Sequence, residues 1–146
     1  MKRRTLLICM GGTALLSACG QAAYAGPTIK VYKLATCGCC GGWADDMKDH
    51  GFKVETTKVS DMRPIKKQFG VPASVQSCHT SLVDGYVVEG HVPADMLRRL
   101  LEDRPQLDVI ALPGMPAGSP GMPGEKRGLW KFYGVKDGRI SLYARM

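Results

Sequence analysis

Several things are missing from this sequence, and each absence removes a class of protein. No segment repeats at a long period, so the chain is not an array of stacked units. Its basic residues are scattered rather than gathered into a stripe, and no nucleic-acid-binding motif accompanies them. The most apolar early stretch, Thr5 to Ala18, is too short to cross a membrane comfortably. With 146 residues there is room for one domain and one modest core.

That early stretch reads instead as an export signal over residues 1–25, leaving one domain over 26–146. Lys2-Arg3-Arg4 supplies the basic start and Thr5 to Ala18 the apolar centre. Two exits are open. Leu16-Ser17-Ala18-Cys19 resembles a lipoprotein cleavage box, which would leave a lipid on Cys19. Ala23-Tyr24-Ala25 fits ordinary cleavage, which would discard Cys19. Arg3-Arg4-Thr5-Leu6-Leu7 faintly resembles a twin-arginine signal, and an uncleaved anchor is the plain alternative. Export implies the periplasm, with membrane contact only through the signal or that lipid. Losing Lys2, Arg3 and Arg4 takes Lys+Arg from 20 to 17 against 13 acids, so a formal charge of +7 becomes +4. Such mild basicity is an ordinary solvated surface, and no nucleic-acid partner is expected.

Removal of the signal also takes Cys9 and leaves Cys37, Cys39, Cys40 and Cys78. Four cysteines in an oxidising compartment suggest two structural disulfides. Three of them are crowded into Thr36 to Trp43, T-C-G-C-C-G-G-W, where they cannot staple distant segments. Metal capture or an active dithiol explains the crowding better.

The surrounding pattern places that turn. Ile29 to Leu34 has strand character, and Trp43 to His50 reads as a helix stopped by Gly51. Thiols there lie near backbone N–H groups and the positive end of a helix dipole, which favour thiolate. Val54 to Val59 is a second strand. A short helix follows, capped by Ser60 or Asp61, with Pro64 in its first turn and Gly70 after Phe69. Val71 to Ser77 is a loop leading to Cys78-His79. Thr80–Val83 and Tyr86–Glu89 form a hairpin around Asp84-Gly85. Pro93 opens a helix to about Glu102, with Met96, Leu97, Leu100 and Leu101 as its apolar stripe, and Pro105 ends it. Ala111 to Gly124, dense in proline, glycine and methionine, is expected to be irregular. Trp130–Val135 and Arg139–Tyr143 make a last hairpin.

The order β-α-β-α-β-β-α is that of a thioredoxin-like α/β (α+β) fold. The expectation is a mixed sheet of about four strands flanked by helices, with a C-terminal β-hairpin. In that fold the loop before the third strand, commonly carrying a cis-proline, packs beside the dithiol turn. By this analogy Cys78 arrives beside Cys37–Cys40 in space.

Cys37 and Cys40 have the C-x-x-C spacing of thiol–disulfide enzymes. Cys39, inside the motif, would divert such a pair into wrong disulfides, yet it is one more soft ligand for a metal. Gly38, Gly41 and Gly42 either admit a bulky ion or make an ordinary flexible turn. Four thiolates suit Cu(I), zinc or an iron–sulfur centre by softness. Zinc could take four cysteines, or three cysteines with His79, but three thiols in one turn make a poor tetrahedral cage. Iron–sulfur spacings are absent. Thiolates that bridge several Cu(I) ions avoid the cage problem, so copper is preferred to zinc.

Three blocks carry a more specific signal: T-C-G-C-C-x-x-W, S-C-H-T-S before D-G-Y-V-V-E-G-H-V-P, and P-G-M-P-x-G-S-P-G-M. Together, over roughly Thr28 to Met122, they resemble the CopG-like copper-resistance proteins, a bacterial family long described only as a domain of unknown function. The resemblance implies a thioredoxin-like fold, export, and copper in a multinuclear thiolate cluster on Cys37, Cys39, Cys40 and Cys78. His79 is a candidate further ligand. Met115 and Met122 carry soft thioethers on a loop able to fold over the site; loop packing is their plain alternative. His91 is expected to be structural, His50 to interact with a helix end, Met47 and Met96 to lie in the core, and Trp43 to shield the site. The expected partners are copper ions and other periplasmic copper-handling proteins. A metal-binding protein is favoured over an enzyme, with redox change of copper left open. The alternatives are a periplasmic thiol–disulfide oxidoreductase using Cys37 and Cys40, or a passive copper chaperone.

Overall fold

The computed structural model describes residues 26–146. The export signal expected over 1–25, with Cys19, lies outside the described residues. The described chain forms one seven-stranded mixed sheet: β1 (Ile29–Leu34), β2 (Val54–Val59), β3 (Thr80–Val83), β4 (Tyr86–Gly90), β5 (Val109–Leu112), β6 (Lys131–Lys136) and β7 (Arg139–Arg145). The spatial order is β2-β1-β3-β4-β5-β6-β7. Helix α1 (Gly38–Asp49) links β1 to β2, α2 (Arg63–Gln68) precedes β3, and α3 (Ala94–Asp103) links β4 to β5.

The expectation of about four strands is corrected to seven. Val109–Leu112 is buried at every position and pairs parallel with β4 and antiparallel with β6. A strand covered on both faces has no polar alternation, so its first half was unremarkable in the sequence and its second half was absorbed into the Pro/Gly/Met segment. Once β5 is in place, the C-terminal hairpin is no appendage: β6 and β7 continue the same sheet.

The helices divide between the faces. α1 and α3 bury Trp43, Met47, Met96, Leu97 and Leu100 with Ile29, Val31 and Val88 in one cluster. Val71, Val75, Val87, Val109 and Val135 make a smaller cluster on the other face. Met47 and Met96 are core residues, as expected. Both hairpin turns use Asp-Gly with positive φ at each residue, 47° and 89° at Asp84-Gly85 and 49° and 73° at Asp137-Gly138. That is the geometry a two-residue loop needs to match strand twist.

Two local expectations fail informatively. No cis peptide bond occurs among the described residues, so the segment before β3 reaches its position without the expected proline device. Helix α1 begins at Gly38, not at Trp43, and so includes Cys39 and Cys40 in its first turn. Glycines inside a helix cost roughly 1 kcal/mol each relative to alanine, which is why they read as a turn. Here one of them serves a close approach. A Cβ on Gly42 would lie 3.0 Å from the Gly121 Cα. In return, a Cβ on Gly121 would meet the Cys39 carbonyl oxygen at 2.3 Å and the Trp43 nitrogen at 2.6 Å. The Pro/Gly/Met loop thus packs backbone to backbone on the start of α1.

Gly121→Ala should therefore destabilise the fold more than Gly70→Ala. Both positions have positive φ, 81° and 65°, but the space at Gly70 is open. Left-handed backbone alone costs a side chain about 1–2 kcal/mol, and only Gly121 adds a backbone collision. Urea unfolding of the two variants checks this; equal losses would contradict the packing described.

Candidate metal centre

The site is built from three segments that the sheet brings to one end. β1 and β3 are antiparallel, with Tyr32 opposite Thr80. The chain therefore leaves β1 toward the cysteine turn at the same end where Cys78 enters β3. One sulfur from each of Cys37, Cys39, Cys40 and Cys78 falls in a group whose members all lie within 4.8 Å of one another. The expected convergence of Cys78 on the turn is found.

Within the group, Cys37 and Cys40 are joined as a disulfide, while Cys39 and Cys78 are free thiols. Cys37 is the cap residue of α1, and its backbone N–H donates to the Leu34 carbonyl at 3.1 Å. Its Sγ lies 3.5 Å from that of Cys39. Cys40 is fully buried, whereas Cys37, Cys39 and Cys78 are partly exposed. Burial, and then the neighbouring Cys39, push the Cys78 thiol up to about 12.

Two histidines complete the floor. His79 is fully buried, its Nδ1 3.3 Å from the Cys78 sulfur, and its ring packs tilted by 47° against Trp43, centroids 4.6 Å apart. Burial, then His91 and the cations Lys66 and Lys33, hold it well below the usual imidazole range. Trp43, fully buried in the core, donates its indole N–H to the Val92 carbonyl at 2.8 Å.

His91, expected to be structural, is at the site. Its Nδ1 lies 2.6 Å from the Pro120 carbonyl and its Nε2 2.9 Å from the Cys78 sulfur. A carbonyl only accepts, so Nδ1 carries the proton and Nε2 turns a lone pair on the sulfur. Burial lowers its basicity against the opposing pull of Pro120, which keeps that neutral form. Cys78, His79 and His91 make a second compact group of donors overlapping the first. The H-V-P sequence held the only signal: a histidine ending a strand, opposite the end of another.

The remaining candidates are less engaged. Met122 is half-buried on the loop that Pro120 and Gly121 press onto the site, and its N–H closes a turn on Ser119 at 2.8 Å. Met115 is exposed at a positive φ of 45°. His50 lies on the surface at the end of α1, beside the Asp46 carbonyl and carboxylate, as a helix-end residue.

Chemically, the centre is a pocket of four sulfurs and two neutral imidazoles, with a buried aromatic floor and no carboxylate in the donor group. It defines a soft-metal or dithiol site on an α/β sheet. The family described as "Protein of unknown function, DUF411" matches residues 75–122. Two solved structures, "Copper resistance protein copG- Form 2" and "Copper resistance protein copG- Form 1", are each 41% identical to the chain. They match 83% of this chain and 98% of theirs, with TM-scores of 0.76 and 0.75. No curated protein matches. The chain belongs to the CopG copper-resistance family.

The pairing gives a direct expectation. Alkylating the unreduced, metal-free protein before trypsin digestion should give a peptide spanning Cys37–Cys40 that carries one alkyl group and one internal disulfide; reduction first should give three. The Cys78 thiol should react slowly at pH 8. Its rate should climb about tenfold per pH unit toward 12, because only the thiolate attacks. A plateau near pH 9 would contradict the burial assigned to it.

Proposed function

We propose that the chain is an exported copper-binding protein that holds Cu(I) on Cys37, Cys39, Cys40 and Cys78, in copper resistance or homeostasis. The observation that carries this reading is the convergence of four sulfurs from two segments into one group. Two names in the same family point to copper resistance, and thiolates select Cu(I) by softness. Four sulfurs from two segments suit bridging of several ions better than one tetrahedral ion. His79 and His91 offer neutral nitrogen donors beside Cys78, and Met115 and Met122 offer thioethers from the covering loop.

The proposal includes a thioredoxin-like core. Its support is the parallel β1–β2 pair joined through α1, with β3 and β4 antiparallel beside β1 and the cysteine turn after β1. It also includes a periplasmic mature domain over 26–146, supported by the signal character of 1–25. Capture of copper by all four cysteines requires reduction of the Cys37–Cys40 disulfide: two electrons and two protons, supplied by an external thiol or other reductant, give two thiols.

That same disulfide favours a second reading, thiol–disulfide exchange on Cys37 and Cys40. The two readings separate at Cys78. An exchange dithiol works without it, so activity would survive Cys39→Ser and Cys78→Ser. In the copper reading, Cys78→Ser binds fewer Cu(I) ions per chain, or yields them to a lower concentration of competing chelator, with the fold intact. Anaerobic Cu(I) titration of the reduced protein measures this. Parent-like stoichiometry and affinity in Cys78→Ser would end the four-thiol proposal.

A further inference from the structure

Behind Cys78, on the face of the sheet away from α1, lies a buried ion pair that the metal centre itself does not use. Lys66 on α2 and Glu89 on β4 are 5% and 0% exposed. Glu89 Oε1 accepts from the Lys66 ammonium and, at 2.6 Å, from the backbone N–H of Ser77. Its Oε2 accepts from the Thr80 hydroxyl at 2.7 Å, and that hydroxyl accepts from Lys66 Nζ at 3.2 Å. Apart from the contact between the two charges, every one of these bonds ends on Ser77 or Thr80. Those residues bracket Cys78 and His79.

We propose that Lys66 and Glu89 are positioning residues for Cys78, a charged clamp that fixes the one sulfur supplied from outside the Cys37–Cys40 turn. The inference rests on the reading of the centre as a copper–thiolate site. Three physical points carry it. A buried ion pair is seldom a device for stability, because removing both charges from water costs about as much as their attraction returns. Its partners therefore matter more than its presence, and they are the two ends of one short segment. Next, the strand end that carries Glu89 holds the same segment a second way. The Gly90 N–H donates to the His79 carbonyl at 3.0 Å, and a Cβ on Gly90 would lie 2.7 Å from the Ser77 Cβ. Last, the segment has no regular structure before Thr80 beyond the 3-10 turn at Ala73–Val75. Without the clamp, Ser77 loses its charged acceptor, and Cys78 gains freedom that a bridging sulfur cannot use.

The test compares the full-length parent with two double variants. Lys66→Met/Glu89→Leu removes the charges and the acceptor together, leaving no lone buried charge. Lys66→Met/Glu89→Gln removes the charges but keeps an oxygen for the Ser77 N–H and puts an NH2 where it can donate to the Thr80 hydroxyl. Thermal unfolding reports stability. Two other measurements report position: alkylation of Cys78 in reduced, metal-free protein, followed by peptide mass, and Cu(I) retention against a chelator. Loss of a hydrogen bond to a charged group corresponds to a change of about tenfold or more. The Leu variant should unfold cooperatively, yet alkylate Cys78 about tenfold faster and release Cu(I) at about tenfold lower chelator. The Gln variant, which keeps the Ser77 bond but loses the charges and the Lys66 ammonium, should fall between the parent and the Leu variant in both. A folded Leu variant with parental alkylation and copper retention would overturn the clamp, as would a Gln variant impaired as much as the Leu variant. If the Leu variant does not fold, Glu89→Asp, which withdraws the carboxylate by one methylene, takes its place, and parental Cys78 alkylation there overturns the clamp. If the parent takes up no Cu(I), the copper reading falls, and the alkylation rates alone decide the clamp.

Discussion

The antiparallel pairing of β1 with β3 is the constraint on which everything else depends. Tyr32 opposite Thr80, Val31 opposite Ser81 and Lys30 opposite Leu82 bring the exit of one strand to the entrance of the other. A sulfur at position 78 meets three at 37, 39 and 40 for that reason. The hairpin to β4 then returns the chain past the same place, so His91 also arrives there. Parallel β5 leads the Pro/Gly/Met loop across the site, where Gly121 can rest on α1 only because neither it nor Gly42 has a side chain.

The centre is held from three directions by different forces. From below, the tilted rings of Trp43 and His79 pack together in a fully buried layer and fix the floor. From the covering loop, the Pro120 carbonyl sets which nitrogen of His91 carries the proton and aims the other at Cys78. From the opposite face of the sheet, Glu89 holds Ser77 and Thr80. A soft-metal pocket without carboxylates gains no charge stabilisation from acids, so its precision must come from such outer contacts.

Much of this was legible in the sequence, for identifiable reasons. β-branched runs marked β1 to β4, Asp-Gly pairs marked both hairpins, and the i, i+3, i+4 apolar spacing marked α3. The crowding of three cysteines indicated the centre, and the strand order brought Cys78 to it. What was illegible depended on partners distant in sequence. Glycines 38, 41 and 42 read as a turn because the loop that packs on Gly42 lies some eighty residues downstream. β5 was missed because a strand buried on both faces lacks alternation. His91 read as structural because its two partners, Cys78 and Pro120, come from different segments. Lys66 and Glu89 were not singled out in the sequence, since nothing local reveals that α2 covers the sheet at that point.

The four-sulfur centre stands or falls on whether sulfur from both segments surrounds the metal. X-ray absorption at the copper edge, on reduced protein saturated with Cu(I) under anaerobic conditions, reads this directly. The predicted spectrum has a first shell dominated by sulfur, a copper–copper vector behind it, and fewer sulfur neighbours per copper in Cys78→Ser. A first shell of nitrogen and oxygen only, or a sulfur shell unchanged by Cys78→Ser, would contradict it.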